Sequence, residues 1–153
     1  MDYEHKAHQE THLKVGNYLH EFFEKPFEDP DDGHYYVTYG STVLEVVVEP
    51  YGPEEAIVRL VAYCVQGVDV SQNLERGLLE TNLDLAVGSF ALIDRDVFVC
   101  YTLFGKTTDS RSLLNAIAAV ANTSDEYDDL IVAKYGGETA LERLHHEADQ
   151  ESD

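Results

Sequence analysis

The sequence predicts an α+β fold in the order α-β-β-β-α-β-β-α, with a five-stranded, mainly antiparallel sheet and helices packed on it. Three observations carry the prediction. Apolar residues recur at helical spacing in three segments. Val- and Tyr-rich runs of strand length fill the spaces between them, and turn signals at Gly40-Ser41, PYGPEE and Asp94-Arg95-Asp96 separate strands within each run. The stretch VGSFALIDRDVFVCYTLFG, residues 87–105, shows this grammar: two apolar runs hinged at Asp94-Arg95-Asp96 and apolar at nearly every position.

The first helix runs from about His8 to Glu24, where Val15, Tyr18, Leu19, Phe22 and Phe23 recur at helical spacing; Pro26 and the turn-rich EDPDDG end it. YYVTY and TVLEVVVE follow, separated by Gly40-Ser41. A Gly-Ser pair between β-branched and aromatic runs signals a type II′ hairpin, which pairs Val37 with Leu44 and Tyr39 with Thr42. PYGPEE cannot continue a central strand, because proline donates no ladder hydrogen bond, so AIVRLVAYCV is a third strand. Ser71 caps a short helix through about Leu83, with Leu74, Leu78 and Leu79 on one face. Residues 87–105 then supply strands four and five. Asp109 caps the longest helix, whose stripe of Leu113, Leu114, Ile117, Val120, Ala121, Tyr127 and Ile131 leads to Gly136-Gly137. At 153 residues the chain is expected to form one domain over 1–136, with 137–153 an acidic C-terminal helix or frayed tail.

Composition narrows the partners. Asp plus Glu (30) outnumber Lys plus Arg (10), a formal charge of −20, yet 44% of residues are hydrophobic, enough for a packed core. Such a field repels phosphate backbones, so no direct nucleic-acid binding and no membrane association are expected; it attracts basic proteins. No apolar stretch approaches the roughly 20 residues that span a bilayer, and MDYEHKAHQETH has no signal-peptide core. The expected localisation is cytoplasmic. Cys64 and Cys100 lie in apolar runs and are expected to be buried thiols of a reducing compartment.

Alternation orients two of the strands. Glu45, Glu49 and Arg59 point away from the helices, which places Leu44, Val46, Val48, Val58, Leu60, Ala62 and Cys64 against them. The opposite face is not polar. It carries Tyr36, Val43, Val47, Ile57, Val61, Tyr63 and Val65, and the last strand adds Val97, Val99, Tyr101 and Leu103 on one of its faces, with Val99 and Tyr101 taken as part of the peptide-binding or dimer face and the Asp94-Arg95-Asp96 turn leaving the register open. A monomer seldom exposes a contiguous apolar patch beyond about 300 to 600 Å². Three covers are open: the long helix crossing over, a second subunit, or a bound peptide.

No catalytic residue, cofactor or metal site is expected. The glycines are scattered and build no phosphate loop, and Ser89 lacks the second glycine of a nucleophile elbow. EDPDDG fails as a calcium loop, because Gly33 at the sixth position puts Tyr39 where a bidentate Glu must stand. DEYDDL, with Asp125, Glu126, Asp128 and Asp129 on the long helix, reads as a solvated face. His5, His8 and His12 are spaced for one helical face, but no third firm ligand accompanies them. His145-His146 gives no stronger signal.

The segment LLETNLDLAVGSFALIDRDVFVCYTLFGKTTDSRSLLNAIAAVANTSDEYDDLI resembles the YbjN family in ordered features: Leu78-Leu79, Gly88, Phe90, Leu92, Leu103, Gly105, Asp109, Leu113-Leu114, Asp125, Tyr127 and Asp128-Asp129. That family is similar to type III secretion chaperones of the CesT kind, whose element order this chain repeats. The resemblance implies a small acidic cytosolic protein, commonly dimeric, that binds extended segments of a partner and catalyses nothing. The expected function is therefore a non-enzymatic chaperone or adaptor, a homodimer that binds another protein through apolar sheet and helix surfaces, with basic clients favoured by the acidic surround. Two other classes stand beside it. One is an acidic decoy that occupies a basic nucleic-acid-binding protein, and the other is a small-ligand binder.

Overall fold

The computed structural model describes residues 1–140, 142 and 143. Its elements are α1 (Lys6–Phe22), β1 (Phe27–Glu28), β2 (Tyr35–Tyr39), β3 (Thr42–Tyr51), β4 (Glu55–Gln66), α2 (Gln72–Asn82), β5 (Ser89–Ile93), β6 (Asp96–Phe104), α3 (Ser110–Tyr135) and β7 (Glu138–Thr139). The eight expected elements are present in the expected order. β1 and β7 are additions of two residues each, too short to leave a periodicity.

The sheet runs β1-β2-β3-β4-β6-β5 with every pairing antiparallel, and β7 pairs with β4. The β2–β3 hairpin has the expected register, Val37 opposite Leu44 and Tyr39 opposite Thr42. Gly40 takes φ 60° while Ser41 stays at negative φ, the arrangement a type II′ turn requires. β7 joins β4 through Val65 and Gln66, beyond the Leu44–Ala62 pair where β3 stops. The ordered fold therefore continues past Gly136, into residues assigned to the tail by sequence. His145, His146 and the last acidic residues lie outside the described residues.

α1, α2 and α3 lie on one side of the sheet. Tyr35 of β2 donates its hydroxyl hydrogen to the His12 carbonyl of α1 at 3.0 Å. Thr42 and Cys64 donate to the Ala121 and Ser124 carbonyls of α3. Asn82 of α2 accepts the Phe90 N–H of β5, and Tyr135 of α3 donates to the Asn73 carbonyl of α2. Between them lies the core, in which Leu19, Leu44, Leu60, Leu74, Leu113 and Ile117 are fully buried.

Helix ends follow elementary capping. The Asp109 carboxylate accepts the Ser112 N–H and the Ser112 hydroxyl accepts the Asp109 N–H, a reciprocal box that starts the 26-residue α3. The Ser71 hydroxyl accepts the Leu74 N–H at the head of α2. α1 begins two residues before its expected start because the His5 ring, through Nδ1, caps the His8 N–H. In α2, Leu74 and Leu78 are buried as expected, but Leu79 is turned outward and 72% exposed.

Two local irregularities decide which side chains face the helices. The β5–β6 connection is a two-residue turn, Asp94-Arg95, closed by Ile93 opposite Asp96. Asp94 sits at φ 54°, where an Asp is tolerated. Val68 and Arg95 lock this turn to the loop before α2: the Val68 N–H donates to the Arg95 carbonyl, and the Arg95 guanidinium donates to the Val68 and Gly67 carbonyls. The resulting parity puts Val97, Val99, Tyr101 and Leu103 on the helical side. Val99, expected on the opposite face, is completely buried beside Ala62, and Tyr101 shares its side. A register shift in β4 between Tyr63 and Val65 turns both Cys64 and Val65 inward, so Val65 also leaves the face assigned to it.

Candidate functional site

With α1, α2 and α3 on one side, the other side of the sheet is open among the described residues. Tyr36, Val43, Val47, Ile57, Val61 and Tyr63 all stand on it, and β6 contributes Phe98, Cys100 and Phe104 in place of Val99 and Tyr101. One continuous cross-strand row runs Tyr36–Glu45–Val61–Cys100–Ser89 through five strands. Most of these side chains are half-buried by their neighbours, which is how a sheet face covered by nothing heavier than side chains packs. The long helix does not cross over it.

Glu45 and the Arg59–Glu49 pair punctuate the face, each anchored. Glu45 accepts a hydrogen bond from His34 Nδ1 at 2.6 Å on one oxygen and from the Tyr63 hydroxyl at 2.9 Å on the other. Arg59 pairs with Glu49 at 3.2 Å. Burial first, then its bond to Glu45, pushes the Tyr63 phenol well above the ordinary tyrosine range. Tyr36 is raised by burial and then by the Glu45, Asp32 and Asp29 carboxylates, a sign of the negative potential at this end of the face. Aromatic rings flank Glu45: Phe27 lies 6.1 Å from Tyr36, and Tyr63 meets Phe98 edge-on at 5.3 Å.

Cys100, expected to be buried, is half-buried on the open face, and burial raises its thiol while Arg59 opposes. Cys64 is buried on the helical side, its thiol pushed to about 12 mainly by burial, so the two cysteines project from opposite faces and remain free.

A second apolar patch lies where α2, β5 and the end of α3 meet. Leu78, Leu79, Phe90 and Leu92 line a groove between α2 and β5. Beside it Leu79, Leu83 and Leu130 are 72%, 90% and 62% exposed. β5 is an edge strand; Asn82 occupies the Phe90 N–H and leaves the Phe90 carbonyl and the Leu92 amide on the free edge.

The histidines of α1 are structural. Each ring nitrogen that meets a carbonyl donates and the other accepts: His5 spans the Gly52 carbonyl and the His8 N–H, and His8 spans the Val48 carbonyl and the Glu4 N–H. His12 donates to the Gly33 carbonyl and accepts from the Tyr3 hydroxyl. These three rings have no lone pair left for a metal, and among the described residues no group of His, Cys, Asp and Glu is arranged to hold one. Two carboxylates of EDPDDG serve their own loop, Asp29 accepting the Asp31 N–H and Asp32 the His34 N–H. Asp125 accepts from the Ser41 hydroxyl, tying α3 to the hairpin turn.

Among the described residues, this one-sided packing offers an extended polypeptide an apolar sheet face and the β5 edge to lie against. In fold the chain is similar to a chain of a solved structure, the crystal structure of the ExsC–ExsE complex, with a TM-score of 0.62 and 12% sequence identity over 86% of this chain and 97% of that one. The chain belongs to the family of type III secretion (YopN, CesT) and YbjN peptide-binding chaperones, TY-Chap1, whose model matches residues 9–143. No curated protein matches it. No helix among the described residues is long and apolar enough to cross a membrane.

Proposed function

We propose that this protein is a non-enzymatic cytosolic chaperone that self-associates as a homodimer and holds an extended, basic segment of a client protein on its open sheet face. The observation that carries the reading is the bare face itself: Tyr36, Val43, Val47, Ile57, Val61 and Tyr63 converge on a surface that α1, α2 and α3 leave uncovered. Its side chains are half-buried and interspersed with anchored charges, so water wets it tolerably and a client can come and go. The α2–β5 patch differs. Leucines exposed to 72% and 90% are a permanent liability on a soluble monomer, and a second copy covers them permanently. The family's peptide-binding character supports the client role, two unpaired thiols support a reducing compartment, and the charge of −20 supports a basic client.

Affinity capture from native cytosol, with the parent and with an Ile57→Asp/Phe104→Asp variant, tests the client face. A client retained by the parent at high salt and lost by the variant upholds it; equal capture by both would remove the face from the function. The high net charge alone favours a second reading, an acidic decoy for a basic protein. Decoy binding collapses between low and moderate salt, since screening shortens to about 8 Å at physiological ionic strength.

A further inference from the structure

Glu45 stands out on the open face because it is a carboxylate set among rings. Its side chain is only 17% exposed. Tyr36 sits directly across the strand from it, Tyr63 bonds to it, and Phe27 and Phe98 extend the rings outward on either side across β1, β2, β4 and β6. Both carboxylate oxygens are oriented from within, by His34 and Tyr63, and each uses one of its two lone pairs in doing so. The second lone pair on each oxygen remains. Asp32 stands 3.4 Å from His34, adding negative charge at the same end.

We propose that Glu45 and its flanking rings form a subsite for one cationic side chain, an arginine, of the segment that lies across the open face; the subsite rests on the client-binding reading of that face. A guanidinium suits it on three counts. Its planar fork matches two fixed carboxylate oxygens, its plane stacks on tyrosine, and its weak hydration lets it enter a half-buried site. The charge of −20 steers such a segment in, while the aliphatic residues Val43, Val47 and Val61 around Glu45 receive its apolar neighbours. Alternate side chains of an extended segment face the sheet, so the arginine is flanked two positions away on each side by apolar residues.

The test uses two synthetic probes, Ac-Val-Ser-Val-Ser-Arg-Ser-Val-Ser-Val-NH2 and the same peptide with neutral citrulline for arginine, titrated into the full chain at physiological salt and followed by amide and methyl NMR shifts. A charge-assisted bond to a half-buried carboxylate is worth roughly tenfold or more in affinity. The expected result is that the arginine peptide binds at least that much more tightly, with shifts at Val43, Val61 and Tyr63, and that Glu45→Gln brings the two peptides level. Tyr36→Leu, which leaves the carboxylate in place, narrows the preference and shows the ring's share. Equal binding of both peptides to the parent, with shifts on the open face, overturns the subsite and leaves the face as a client surface. Failure of both peptides to bind, or shifts confined to the α2–β5 groove, overturns the subsite together with the reading it rests on.

Discussion

Asp128 offers a prediction whose sign runs against habit. It lies in the last third of α3, partly buried, with its Oδ1 accepting the Asp129 N–H at 2.6 Å. Burial raises its carboxyl from 3.8 to about 6; the Asp129 N–H opposes, and the Asp129, Asp125 and Glu142 charges add to the rise. In the unfolded chain it titrates near 4. Folding therefore takes up a proton between about pH 4 and 6, so this group's contribution is fully present below about pH 4 and is lost as pH rises through about 6. Two pH units at about 1.4 kcal/mol each set an upper bound near 3 kcal/mol. Solvent reaches part of the side chain, which reduces the figure to about 1 to 2 kcal/mol. Asp128→Asn removes the charge and keeps the Oδ1 acceptor. Urea unfolding at pH 7.5 should show the variant more stable than the parent by that amount, with the difference vanishing near pH 4. A variant no more stable at pH 7.5, or one whose advantage does not change with pH, refutes the reasoning.

Leu79→Glu with Leu83→Glu should convert the proposed homodimer to a monomer by light scattering coupled to size exclusion. A stable parent monomer at micromolar concentration would contradict the dimer directly. Gly16→Ala should destabilise by about 1 to 3 kcal/mol in chemical denaturation, although the same change in an open helix gains up to about 1, because the new Cβ drives into the Tyr35 hydroxyl. Ser71→Ala should cost about 1 kcal/mol through the lost cap on the Leu74 N–H, read by the same method.

The elements with strong local chemistry were legible. Gly40-Ser41 fixed a register, and from that register Tyr36 stands opposite Glu45, so half of the cation subsite was within reach of the sequence. Charged residues at Glu45, Glu49 and Arg59 marked the outward side of β3 and β4. β6 carries no such marker. Apolar residues occupy both its faces, and its parity depends on whether Asp94-Arg95-Asp96 spends two residues or three in the turn; the structure spends two, and Val99 and Tyr101 move to the helical side. The bulge at Cys64 likewise shifts Val65 without any glycine or proline to announce it. The α2 stripe failed at Leu79 for another reason: helical spacing brings three leucines near one face, but only Leu74 and Leu78 meet the sheet. The rings of Phe27 and Phe98 were missed because β1 is two residues long and β6 was placed in the wrong phase.

Gly16 governs more than the seating of one helix. With no side chain there, the hydroxyl of Tyr35 passes beneath α1 and bonds to its backbone at His12, so a short strand near the margin of the sheet is bolted from behind. Tyr36, next along that strand, faces the other way on the same rigid mount. For the client proposed above, that strand is a floor fastened from behind, and affinity then depends on how well the client conforms to it.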